Sequence, residues 1–204
     1  MSMAAKMKDP YSREAFLALI ELVAFDLQVA IQNYEMFAPS GHDASLLGYF
    51  HGRGLSLELD IVSKALVLNV ISALCRIWDD TKDAAGIPLV RKKLRKRRRI
   101  AVDPEALDKW LENVAAVEQL EEFRAIHAYR NVALAHRDGP HRTHPRQMSG
   151  ARVVTHHDER KLLEATIVVV EGLYELLAVN WREDFEKHRV EWRDRSQRFW
   201  LAIR

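Results

Sequence analysis

Residues 104–136 read PEALDKWLENVAAVEQLEEFRAIHAYRNVALAH, and the placing of their apolar side chains decides the fold class. Leu107, Trp110, Leu111, Val114, Val117, Leu120, Phe123, Ile126, Tyr129, Val132, Ala133 and Ala135 recur at three and four residues. That is the period of a helix with one face turned to a core. Asp103-Pro104 opens the pattern with a side-chain cap before a proline at the first helical position. Asp138-Gly139-Pro140 breaks it, and a bend midway is compatible with its length.

The same punctuation recurs upstream. Asp9-Pro10 predicts a first helix whose stripe of Phe16, Leu17, Ile20, Val23, Ala24, Leu27, Ala30 and Ile31 runs to about Met36, with Pro39-Ser40-Gly41 ending it. A second long helix is expected from Ser56 to Asp79 or Asp80. Its residues Ile61, Leu66, Leu68, Val70, Ile71, Leu74, Ile77 and Trp78 lie nearly all round the axis, which suits the centre of a bundle. Pro88 opens a short helix carrying the charge run Arg91 to Arg99. Thr155 to Asp158 supply caps for a helix through Leu162, Leu163, Thr166, Val169, Val170, Leu173, Leu176 and Leu177. A last helix from about Glu183 to Ile203 spaces Phe185, Trp192, Phe199 and Trp200 on a charged background. No strand pattern and no repeat is visible. The prediction is an all-α bundle of four to five main helices (1–182) plus a charged C-terminal helix (183–204) that packs on the bundle or on a dimer partner.

Composition narrows the function classes. With 31 Lys and Arg against 29 Asp and Glu among 204 residues, the formal charge is +2, so no global field points to a polyanionic partner and any attraction must be local. The single cysteine, Cys75, lies in an apolar helical stretch; it has no internal partner and suits a reducing interior. Ala65 to Cys75, bounded by Lys64 and Arg76, is too short to span a bilayer, and Glu171 and Glu175 interrupt the apolar stretch from Ala165 to Trp181. The start MSMAAKMKDP lacks the apolar run of a signal peptide. A cytoplasmic protein with no membrane association is expected.

Chemistry is concentrated in Tyr129-Arg-Asn-Val-Ala-Leu-Ala-His-Arg-Asp138. At roughly 100° per residue, Arg130 and His136 stand about 120° apart around a helix, flanking a groove. Imidazole serves as base or acid near neutral pH, and guanidinium offers a planar fork of donors to phosphate oxygens. Asn131 could orient either. Arg137/His144, Arg152/His157 and Arg182/His188 have comparable spacing, so context singles out the first pair: a long apolar helix ends there, Asn131 follows the Arg, and an irregular loop over 139–157 comes next. The same residues would also serve as a capping Arg and a partly buried His.

Arg130-Asn131 followed by His136 resembles the signature of the HEPN superfamily of helical ribonucleases. Leu74-Cys-Arg-Ile-Trp-Asp79 with Ile87-Pro-Leu-Val90 resembles its abortive-infection U type (AbiU-like) branch, where an Arg-x-x-Asp helix end precedes a short helix. The resemblance implies a metal-independent endoribonuclease with no cofactor. Its products would be 2′,3′-cyclic phosphates, and Arg130, Asn131 and His136 would be catalytic, with Arg76 and Asp79 near the site. It further implies a homodimer with a composite cleft, acting as a toxin or antiphage effector held by a cognate antitoxin or regulatory protein. A non-catalytic module of the same fold, binding RNA or a protein partner, is the alternative.

Arg91, Lys92, Lys93, Arg95, Lys96, Arg97, Arg98 and Arg99 form a basic run suited to an RNA backbone, or to an acidic partner, or simply to solvent. His141, His144, His156 and His157 invite a zinc reading, but no Cys pair or His-Glu-x-x-His accompanies them, and no metal is expected. Trp78, Trp110 and Trp181 are assigned to the core; Trp192 and Trp200 are candidates for a dimer or partner surface.

Overall fold

Residues 13–81, 84–96, 102–133, 157–178 and 182–203 are described by the structure, a computed structural model, with backbone alone for 42, 131–133 and 182–184. Eight helices occur among them and no strand: α1 (Arg13–His42), α2 (Ala44–Gly52), α3 (Ser56–Ile77), α4 (Ile87–Lys96), α5 (Pro104–Gln119), α6 (Glu121–Ala133), α7 (Asp158–Leu176) and α8 (Arg182–Ile203). Five of these, α1, α3, α5, α6 and α7, make the bundle proper, as the apolar periods predict. No helix of the described residues is long and apolar enough to cross a membrane.

The central pair is α1 and α3. Arg76 reaches Asp26, Asn69 reaches Asn33 and Ser63 reaches Ser40, so one helix retreats as the other advances and the two are antiparallel. Their buried faces, including Phe16, Val23, Leu27, Val70 and Leu74, join one core with Trp78, Trp110, Val114, Ile126, Leu162 and Val170. Two indoles tie this core to α7: Trp78 Nε1 donates to Thr166 Oγ1 at 3.0 Å and Trp110 Nε1 to the Val169 carbonyl at 2.8 Å. Each buried indole N–H thereby avoids the cost of an unpaired donor.

Several expectations need correction. The first helix does not stop at Pro39 but runs through it to His42. An interior proline costs about 3 kcal/mol. Fully burying a phenylalanine such as Phe37 contributes about 1.5–3 kcal/mol and offsets much of that. The Ser40 hydroxyl adds a bond to the Phe37 carbonyl at 2.7 Å. Helix α2, which no sequence signal announced, follows at once; Asp43 caps it by accepting from the Ser45 and Leu46 amides. The 104–136 pattern is two helices, because Leu120 adopts an extended backbone (φ −60°, ψ 138°) between α5 and α6. Nor is α3 central along its whole length. Val70 to Ile77 is largely buried, whereas Leu57, Ile61 and Val62 are exposed, Ile61 at 58%. At the start of α7, His157 takes the cap position and makes no side-chain cap bond.

Helix α8 crosses α1 and ends against α2 and α3. Glu35 on α1, 5% exposed, accepts from both Arg189 and Arg193, and Arg189 also binds Glu164 of α7. Trp200 is buried within its own chain, with Nε1 on the Met36 carbonyl at 2.9 Å and its ring among Leu46, Phe50 and Leu59. It is therefore closed to a partner. Trp192 is half-buried and donates to His188 Nε2 at 3.0 Å. Trp181 lies outside the described residues.

Candidate functional site

The site is built where α3 ends. The Trp78 amide still bonds to the Leu74 carbonyl, but the Asp79 amide turns to the Arg76 carbonyl at 3.3 Å and the helix closes. Asp79 then folds back on its own chain: its Oδ1 accepts from the Thr81 amide at 3.0 Å, a local turn typical of aspartate. Gly86, leading into α4, packs directly on this helix end. A Cβ there would come 2.7 Å from the Ile77 carbonyl oxygen and 2.9 Å from that of Asp79. Only glycine allows so close an approach of the two segments.

Into this corner α6 brings Arg130. Its Nη2 donates to Asp79 Oδ2 at 3.1 Å, with the Arg130 side chain 34% exposed and that of Asp79 14%. Burial alone would raise the Asp79 carboxyl. The Thr81 amide and hydroxyl, with Arg130, outweigh it and hold the group below the usual carboxylate range. Asp79 is thus an anion at neutral pH and fixes one donor of Arg130, and among the described residues no other side chain takes the remaining donors of the fork.

One turn before Arg130 lies His127, whose ring stacks on Phe123 at 4.4 Å, while Phe123 meets Trp78 edge-on at 5.4 Å. Burial, then the Arg130 charge, lowers its pKa against the pull of Asp80 and Asp79, so the imidazole is neutral at pH 7. Its Nε2 is buried and has no hydrogen-bond partner among the described residues. Cys75 is also at this corner. Burial pushes its thiol up to about 11, and a protonated, buried thiol is no nucleophile. Sequence reasoning missed His127, although its i, i+3 spacing to Arg130 was a usable signal.

Arg76 points elsewhere. Its Nε and Nη2 both bind Asp26 Oδ1 of α1, at 2.8 and 2.7 Å. Asp79 is therefore joined to Arg130, while Arg76 braces α3 against α1. Asn131 has its backbone in α6, and its side chain lies outside the described set. His136 lies outside the described residues altogether, as do Arg97, Arg98, Arg99, His141, His144 and His156.

The basic run divides by role. Helix α4 buries Ile87, Val90 and Leu94 on one face and turns its cations away from that face. Arg91 is paired with Glu118 at 2.7 Å, and Lys93 is half-buried. Lys92, Arg95 and Lys96 are exposed. Beside them lies a groove of about 350 Å³ that also takes in Asp80 and Thr81. Among the described residues, no group of three or more His, Cys, Asp or Glu could hold a metal ion.

Two broader comparisons give no match: neither a curated protein nor a solved structure resembles the chain closely enough to count. One family model does match, that of the HEPN proteins described as AbiU2, over residues 7–194. The match takes in the Arg76-x-x-Asp79 helix end, the basic helix, Arg130 and the segment through His136. A helical bundle that joins the two motif segments at Asp79 and Arg130, matched over nearly its whole length, belongs to the AbiU2 family of HEPN proteins.

Proposed function

We propose that the chain is a metal-independent endoribonuclease. The observation that carries this reading is the anchored, one-third-exposed guanidinium of Arg130 on α6, whose chain leads to His136 six residues on. In the proposed reaction the ribose 2′-OH attacks the adjacent phosphorus and loses its proton to an imidazole acting as base. The P–O5′ bond breaks, O5′ takes a proton from an acid, and the products are a 2′,3′-cyclic phosphate and a 5′-OH. His136 moves the protons, Arg130 stabilises the charge gathering on the phosphorane oxygens, and Asn131 orients one of them.

Since base and acid stand on opposite sides of the phosphate in such a displacement, a homodimer offering two copies of the segment fits the chemistry. Lys92, Lys93, Arg95, Lys96, Arg97, Arg98 and Arg99 hold the RNA strand. In the cell the protein acts in abortive infection, as an antiphage effector or toxin restrained by a cognate protein in the cytoplasm.

Incubation of the purified chain with single-stranded RNA in excess chelator should yield cyclic-phosphate ends, and His136→Ala should abolish them. RNA left intact by the wild-type dimer, or cut only when divalent metal is added, would refute the reading. One observation favours a second reading, a non-catalytic RNA-binding module: Arg130 is already engaged by Asp79 within its own chain. Binding without cleavage, indifferent to His136→Ala, selects it.

A further inference from the structure

The groove beside α4 has two chemically opposed parts. Gly86 stands against the Asp79 carbonyl, so Asp80 and Thr81 lie at the N-terminal end of α4. The cations follow along the helix, and Pro88 to Lys96 spans about 12 Å at 1.5 Å per residue. Pro88 and Leu89 give the groove apolar wall between these parts. Asp80, Lys92, Arg95 and Lys96 form no hydrogen bond or ion pair with a described side chain. The volume, about 350 Å³, falls within the roughly 300–1,000 Å³ common for small-ligand sites.

A bare phosphate track would not keep an exposed carboxylate such as Asp80 at one end, because it repels the strand it is meant to hold. The carboxylate accepts only, so it selects a group with N–H or O–H donors. Of the four RNA bases, guanine alone carries two adjacent donors, N1–H and the 2-amino group, on its Watson–Crick edge, matching the two carboxylate oxygens. Pro88 and Leu89 suit the flat face of the ring, and Lys92, Arg95 and Lys96 suit its flanking phosphates.

We propose that the α4 groove is a guanine-selective nucleotide subsite of the RNA path, with Asp80 reading the base and Lys92, Arg95 and Lys96 holding the phosphates. It rests on the ribonuclease reading and deepens it, because Asp80 directly follows the Asp79 that anchors Arg130. A guanosine seated there sets which phosphate reaches Arg130.

The test is binding of full-length His136→Ala protein, in which strands stay intact, to labelled 12-nucleotide RNAs: all adenosine, the same with one central guanosine, and the same with inosine, which lacks the 2-amino group. Guanosine should bind about tenfold more tightly than adenosine, the size of one good bidentate base contact, with inosine in between. Asp80→Asn should bring the guanosine-to-adenosine ratio close to one. Lys92→Gln with Arg95→Gln should weaken all three strands and flatten the salt dependence by ~0.7 per lost contact.

Tight binding with no guanosine preference, or a preference that survives Asp80→Asn, overturns the subsite and leaves the ribonuclease reading standing. No binding to any strand overturns both. Binding of guanosine monophosphate in place of RNA assigns the groove to a free nucleotide and overturns the proposal.

Discussion

Arg130 Nη2 donates to Asp79 Oδ2 across 3.1 Å, joining α6 to the end of α3 over 51 positions of sequence. This contact links the two segments on which the HEPN resemblance rests, and it makes Asp79 a positioning residue for Arg130. In Asp79→Ala the guanidinium loses its anchor, and RNA cleavage should fall at least tenfold, chiefly in kcat. Because the pair is partly exposed, the stability loss should be modest, about 1–1.5 kcal/mol by urea denaturation. Unchanged kcat would remove Asp79 from the site.

The His127 ring carries a pH signature. Its folded pKa lies below the unfolded value of about 6.5, so under mild acid the unfolded chain binds the proton first. Stability should therefore be full above pH 7 and fall as pH drops from about 6.5 toward the folded pKa. His127→Phe should flatten that part of the profile, read as urea midpoints between pH 5 and 7.5. An equal slope in both proteins contradicts the assignment.

Asp79 acts in a lower window. Its folded carboxyl lies below the unfolded value of about 3.9, so its contribution is present above pH 4 and disappears as pH falls through the folded pKa. Asp79→Asn should remove this acid-side slope, and because the Asp79 charge pulls the His127 pKa upward, the slope set by His127 should persist and extend to lower pH.

Gly86→Ala should be among the more damaging small substitutions, because its Cβ would meet backbone oxygens of Ile77 and Asp79 that have nowhere to go. About 1–3 kcal/mol of destabilisation is expected, with activity lost beyond what stability explains, since the Asp79 backbone must shift. Gly172→Ala is the contrast: its new Cβ touches only the Trp110 ring edge at 3.3 Å, and the helix favours alanine by about 1 kcal/mol. Thermal melts of both variants give the comparison. Equal melting temperatures would show that the α3–α4 approach is looser than described.

Helix α8 is held by charge as well as packing. Glu35→Ala should leave Arg193 without its hydrogen-bonded carboxylate and Arg189 with Glu164, costing about 1–3 kcal/mol. Limited proteolysis should then clip the C-terminal helix first. Digestion at the wild-type rate would mean that the Trp200 contacts suffice.

Local chemistry was enough to read most of the helices. Asp103 caps α5 as its side chain and the following proline require, and the stripe from Phe16 to Ile31 is largely buried as its period demands. What escaped was decided by packing at a distance. Pro39 should end a helix by every local rule, yet Phe37 and Ser40 are held by neighbours that local spacing does not reveal. Leu120 lies in an unbroken apolar pattern, and nothing short-range marks the turn. The apolar circumference of α3 suggested burial throughout, but neighbours cover mainly its C-terminal half.

By itself the sequence determined the helical class, the starts of α3, α4, α5, α7 and α8, and the two segments that carry the family resemblance, because capping and periodicity act within a few residues of one another. Only the tertiary structure decided that Arg76 turns to Asp26 while Asp79 takes Arg130, and that Asp80 opens onto the basic face of α4. Those choices depend on which side chains the folded chain brings within about 3 Å, the range at which a hydrogen bond is made.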